Sequence, residues 1–181
     1  MKKDAKEILH YDIIPDVGLG EIHFGMTKDK IFEKYNIEES ITLGESKLVL
    51  HTKVQGGGAT LYLFNESIIL YFHKKENFVL VSILLENQFK GKYLNQITIG
   101  TPFIKLYELK RETLRYDDEM FFPDGSYDFY VGLDMDKYEE KFGYISEYDI
   151  YSAMGKFDTS EEAKNLLSNI EIEYIFFQKN I

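Results

Sequence analysis

The sequence has 181 residues, 44% of them hydrophobic and 29% charged, and its 31 acidic against 21 basic side chains leave a net charge of -10. That length supports one domain or two small intimate ones with a real core, and it argues against disorder over most of the chain. The longest apolar stretches, Ile68–Phe72 and Phe78–Leu85, fall short of the roughly 18 residues of a membrane-spanning helix. The absence of cysteine excludes disulfide scaffolds, thiolate metal sites and cysteine nucleophiles.

The first twelve residues are charged and are expected to be partly flexible. They lack the apolar run of a secretory signal, so the expected location is cytoplasmic. Glu21–Gly25 reads as a short strand, and Thr27 then N-caps a helix carrying Ile31, Phe32 and Tyr35, with Asp29 favourable in its first turn. Lys47–Val54 alternates as a half-buried strand. After Gly56-Gly57-Gly58 come three more strands, Thr60–Phe64, Ser67–His73 and Phe78–Leu85, joined by polar turns. Short polar connections between alternating runs predict an antiparallel meander.

The pattern then restarts. Ile97-Thr98-Ile99-Gly100-Thr101-Pro102 reads again as strand, glycine and helix start, with Thr101 as N-cap and Pro102 as first helical residue. At an offset of 75 residues, Ile22, Gly25 and Glu33 recur as Ile97, Gly100 and Glu108, which reads as a duplicated unit. Strands are expected near Glu119–Pro123, Ser126–Leu133 and Tyr144–Tyr151, with a turn at Pro123-Asp124-Gly125. A capping box beginning at Thr159 opens a helix to about Ser168, and alternation from Ile170 to Phe176 gives a last strand. The expected fold is α+β: two tandem units of strand, helix and antiparallel meander, residues 13–90 and 91–181, forming one compact domain. The helices would pack on one face of one or two antiparallel sheets.

This repeated arrangement, carried by Ile22-His23-Phe24-Gly25-Met26-Thr27, by Ile97-Thr98-Ile99-Gly100-Thr101-Pro102 and by the meander from Leu61 to Leu85, resembles the β-lactamase-inhibitor-protein-like family. The resemblance implies a small binding protein. Without a lipobox cysteine or cysteines for disulfides, the branch it implies is that of cytoplasmic bacterial immunity proteins, which neutralise toxins.

Motifs for chemistry are few. His10, His23, His51 and His73 show no i, i+4 pair, so no metal site is expected from them. Gly56-Gly57-Gly58 precedes a strand rather than a helix, which suits a hairpin or bulge better than a phosphate loop. Asp134-Met135-Asp136, with Glu139 and Glu140, has carboxylates for a hard cation but lacks the ligand ladder of an EF-hand, and reads as an acidic solvated turn. No Gly-x-Ser-x-Gly elbow occurs, and no carboxylate pair stands in an apolar setting. No enzyme activity and no cofactor are expected.

Charge is uneven: residues 1–90 sum to -2, and 91–181 to -8. Between Asp117 and Asp149, eleven acids face two lysines, and half of the 14 tyrosines fall in or at the edges of the same stretch. Such a field disfavours nucleic acid and anionic membranes. Tyrosine offers rigid contact area with a polar tip, and carboxylates around it steer a basic protein. The candidate partner-binding residues are Tyr127, Tyr130, Asp134, Asp136, Tyr138, Glu139, Tyr144 and Tyr148. The bland alternative places these tyrosines in strand cores and the acids on a solvated face. A rival function is a small-molecule or metal-binding domain with a pocket between sheet and helices. Either is compatible with a monomer or with a homodimer formed through edge strands.

Overall fold

The computed structural model describes residues 2–51, 57–74, 77–117, 120–124 and 128–179. The chain divides into two units, Met1–Gln96 with Phe176–Ile181, and Ile97–Ile175. The division thus falls at 96/97 rather than at 90/91, and the chain's last residues belong to the first unit. The fold is α+β with antiparallel strand pairing.

In the first unit, the segment ahead of residue 13 forms a 3-10 helix, Ala5–His10, capped by the Asp4 side chain and burying Ala5 and Ile8. Lys3 N–H donates to Lys34 O at 2.8 Å. Three short strands, β1 (Ile13–Ile14), β2 (Gly18–Leu19) and β3 (Ile22–His23), make a small antiparallel sheet. Thr27 caps α1 (Lys28–Lys34) as expected, its hydroxyl accepting from Lys30 N–H at 3.3 Å. A second helix, α2 (Ile37–Thr42), was not legible in the sequence. The meander follows as β4 (Ser46–His51), β5 (Gly58–Leu63), β6 (Ile68–His73) and β7 (Val79–Leu85), neighbours in that order. Leu61, Leu63, Ile68, Leu70, Leu80, Ile83 and Leu85 are buried in it, with Ile31 of α1 and Ile37 of α2. Each such side chain contributes roughly 1.5–3 kcal/mol by leaving water.

The second unit begins with α3 (Phe103–Lys110), starting 75 residues after α1. Its strands are β8 (Arg115–Asp117), β9 (Met120–Phe122), β10 (Phe129–Leu133) and β11 (Ile172–Gln178), in the order β11-β10-β9-β8. The last strand crosses the division at Ile175/Phe176, and Lys179 N–H donates to Val81 O within the first unit. Between β10 and β11 lie three helices, α4 (Met135–Phe142), α5 (Glu147–Gly155) and α6 (Glu161–Asn169).

The duplication is visible in the backbone. Gly25 N–H donates to Leu80 O and Lys28 N–H to Phe78 O in the first unit; Gly100 N–H donates to Ile172 O and Phe103 N–H to Ile170 O in the second. The return bonds, Leu80 N–H to Met26 O and Ile172 N–H to Thr101 O, repeat in the same positions. Gly25 (φ +83°) and Gly100 (φ +78°) take the left-handed conformation that glycine adopts without strain.

Several expectations fail for local reasons. Ile97–Gly100 is a bridge residue and a turn rather than a strand. Pro102, not Thr101, is the N-cap of α3, because the Thr101 hydroxyl is occupied in accepting from Thr98 N–H at 3.0 Å. Ser160, not Thr159, caps α6, its hydroxyl accepting from Ala163 N–H, and this leaves Glu162 one residue short of closing a box. Asp134-Met135-Asp136 is no turn but the start of α4. Tyr144–Tyr151 is not a strand: most of it lies in α5.

Candidate functional site: the acidic insertion of the second unit

Residues 134–171 connect β10 to β11, where the first unit joins β6 to β7 with residues 74–78 alone. The insertion starts because Asp134 ends its strand and caps a helix, accepting from Lys137 N–H at 2.9 Å. Gly143, at φ +92°, ends it. α5 restarts through a full capping box: the Ser146 hydroxyl accepts from Asp149 N–H, and the Asp149 carboxylate accepts from Ser146 N–H at 2.9 Å. The Ser146 hydroxyl also donates to the Asp149 carboxylate at 2.7 Å, and this bond, followed by the one from the Ser146 N–H, holds the Asp149 carboxyl below its usual range. Ile145 before the cap and Ile150 inside the helix are both buried, which fixes the angle of entry.

Packing on the insertion is unequal. α5 and α6 bury Ile150, Ala153, Ala163 and Leu167. The Tyr107 hydroxyl of α3 donates to Met154 O at 2.8 Å, and its ring meets Phe157 at 4.9 Å. The Arg111 guanidinium pairs with the Asp158 carboxylate beside those rings. α4 buries no residue at all. Its apolar side chains Tyr138 and Phe142 meet each other, ring to ring, at 4.8 Å.

An open cleft of about 430 Å³ is lined by Met120, Phe121, Gly132, Leu133 and Tyr174 from the strands, and by Asp134, Asp136, Glu147 and Glu173. Gly132 makes room for its wall, since a Cβ there would fall 2.0 Å from the Tyr174 ring. Burial, and next the nearby charges of Asp134 and Asp136, push the Glu173 carboxyl above its usual range. Among the described residues no lysine or arginine pairs with Asp136, Glu147 or Glu173, and Lys137 points its ammonium at Glu171, 2.6 Å away. Nor do any three described ligand side chains converge closely enough to hold a metal ion. The carboxylates line the cleft rather than meeting at a point, an arrangement suited to a spread cation such as a guanidinium or an ammonium on a flexible stem.

Six of the eight residues expected from the sequence fall into three groups. Asp134 and Asp136 line the cleft; Tyr138 and Glu139 stand half-buried on α4; Tyr144 and Tyr148 are 86% and 69% exposed. Two of the acids have local duties as well, Asp134 as the α4 cap and Glu139 in accepting from Ile145 N–H at 3.3 Å. Tyr130 is part of the sheet, its ring against Phe122 at 5.8 Å and Tyr174 at 6.2 Å. Tyr127 lies outside the described residues. Glu147, Glu173, Phe142 and Tyr151 are not among the candidate binding residues read from the sequence; Phe142 and Tyr151 are 48% and 50% exposed. Tyr151 stacks on Tyr116 at 5.5 Å. The signal for Glu147 and Tyr151 was the Ser146-x-x-Asp149 box between two isoleucines. Glu173 could not be found, because only folding brings it to the insertion.

No family model matches the sequence, and no curated protein matches it significantly. Among solved structures, the chain is similar to one described as the uncharacterized protein yfeY from Escherichia coli, at a TM-score of 0.51 and 12% identity, covering 99% of this chain and 100% of that one. At that identity the likeness speaks for the fold alone.

Proposed function

We propose that this chain is a non-catalytic binding protein, a cytoplasmic bacterial inhibitor of the immunity-protein kind, that blocks a basic protein through the acidic, tyrosine-bearing insertion of its second unit. The observation that carries the reading is the cleft whose carboxylates Asp136, Glu147 and Glu173 have no cationic partner among the described residues, with Tyr144 and Tyr148 left in water on the same insertion. Unpaired carboxylates steer a basic surface and set its register. Exposed tyrosines supply contact area at small entropic cost. The resemblance to small inhibitor units supports the same reading.

The test is affinity capture from a source lysate at low and moderate salt, with an Asp136→Lys/Tyr144→Ala/Tyr148→Ala variant in parallel, followed by Kd measurements on the purified captured protein. All three positions are on the surface and none caps a helix with its side chain, so the variant should fold. The expected result is a salt-sensitive basic protein bound at least about thirtyfold more weakly by the variant. Equal affinities would remove the site.

A second reading, a small organic cation held in the cleft, is favoured by its volume, which lies in the range of ligand pockets. A rise in Tm with diamines or spermidine and no protein partner would support it.

A further inference from the structure

The edge of the first unit's meander presents a second surface. β4 stands at the end of the strand order, paired to β5 from Ser46↔Leu63 to His51↔Gly58. Among the described residues, no backbone hydrogen bond joins Ser46–His51 to anything but β5. An edge of that kind leaves a row of N–H and C=O groups without partners in the sheet.

Proteins usually blunt such an edge with proline, a bulge or an inward-pointing charge. Ser46-Lys47-Leu48-Val49-Leu50 contains no proline and pairs with β5 without a register shift; its one edge charge, Lys47, a residue type that also blunts edges, stands on the face opposite Leu48 and Leu50. Ser46, Leu48 and Leu50 pair with Leu63, Leu61 and Ala59, all buried, so they belong to the core face. Yet Leu50 is 62% exposed. It is a core-face leucine left largely in water.

We infer that β4 pairs antiparallel with β4 of a second copy of this chain, forming a two-fold dimer through the first unit and leaving the acidic insertion to its own partner. The strand complements itself. A two-fold register centred on Leu48 sets Leu48 against its own copy, Lys47 against Val49 and Ser46 against Leu50, so no like charges meet. Each Leu50 then has the other copy's Leu48 as a diagonal neighbour on the same face. Charge also favours this edge over the other: residues 1–90 sum to -2, against -8 for 91–181, so two copies meeting through the first unit repel each other less. The ladder is short, and the dimer should be reversible and concentration-dependent.

The test is sedimentation equilibrium or light scattering on the full chain over a wide concentration range at moderate salt, comparing wild type with Leu50→Lys and the milder Leu50→Thr, each checked for folding by circular dichroism. The account expects the wild-type mass to rise from 21.3 kDa toward twice that value, Leu50→Thr to dimerise more weakly, and Leu50→Lys to stay monomeric. Tyr148→Ala should dimerise like wild type. A wild type that stays monomeric throughout would overturn the inference. So would a dimer that Leu50→Lys leaves intact, or one that Tyr148→Ala abolishes.

Discussion

The two units share a turn and differ in what lies between their last two strands. In both, a left-handed glycine and the residues after it exchange the same backbone hydrogen bonds with the unit's last strand. In the first unit, residues 74–78 suffice to reach that strand; in the second, α4, α5 and α6 intervene. The repeated part therefore acts as frame, and the non-repeated part carries Asp136 and Glu147, two of the three cleft acids without a cationic partner among the described residues, and the exposed tyrosines. Duplication supplies a stable scaffold twice, and the connection free to vary is where a binding face can be added without disturbing the ladder.

The comparison can be broken first in the frame. Gly91 sits where a Cβ would lie 1.8 Å from Tyr11 O, a backbone atom that cannot step aside. Gly91→Ala should cost about 3 kcal/mol, read as a lowered denaturation midpoint in urea, while the isolated effect on the second unit's partner affinity, measured on the folded fraction, should be small. A wild-type midpoint would show that the contact is not maintained in solution.

A smaller and more pointed effect tests the equivalence of the two turns. Neither Gly25 nor Gly100 has an atom closer than 3.7 Å to where a Cβ would stand, so alanine meets only the cost of the left-handed backbone, about 1–2 kcal/mol. Gly25→Ala and Gly100→Ala should therefore lower stability equally, within about 0.5 kcal/mol. A cost at one site and none at the other would mean the turns are not equivalent.

The smallest effect is one of pH, and it has opposite signs in the two units. In the first, hydrogen bonds from Lys3 and Lys34 pull the Glu21 carboxyl down to about 2. Its folded pKa is depressed, so the stability it adds is present above the ordinary carboxylate range and is lost as pH falls from there toward 2. In the second unit, the Glu173 carboxyl is raised by burial and by its acidic neighbours. Its ionisation opposes folding above that raised pKa, and the penalty is relieved as pH falls through it. Amide hydrogen exchange between pH 6 and pH 3 should show the 3-10 helix and α1 loosening, with the strands around the cleft holding or tightening. Glu21→Gln should remove the first response and leave the second. Loosening of both units together would refute this.

The sequence made the frame legible because its signals are local. Alternation between short polar turns placed β5, β6 and β7 within a residue or two, and the Ile-x-x-Gly repeat located both turns. The insertion was misread for a physical reason. Tyr144–Tyr151 is rich in tyrosine and isoleucine, which favour strands, and its alternation masked the Ser146–Asp149 box that makes it helical. The Asp134 cap, with Met135, Tyr138 and Phe142 at helical spacing, was hidden in the same way by acidic composition. The cleft was half visible: Asp134 and Asp136 lie together in sequence, whereas Glu173 reaches them only because β11 returns beside β10.

The central claim is that the insertion, and not the repeated frame, binds the basic protein partner. Amide hydrogen–deuterium exchange of the wild-type chain, alone and saturated with its purified captured partner, tests it most directly. The account predicts slowed exchange concentrated in residues 134–151, with β5, β6 and β7 unchanged. Protection confined to the first unit, with 134–151 exchanging as in the free chain, would contradict it.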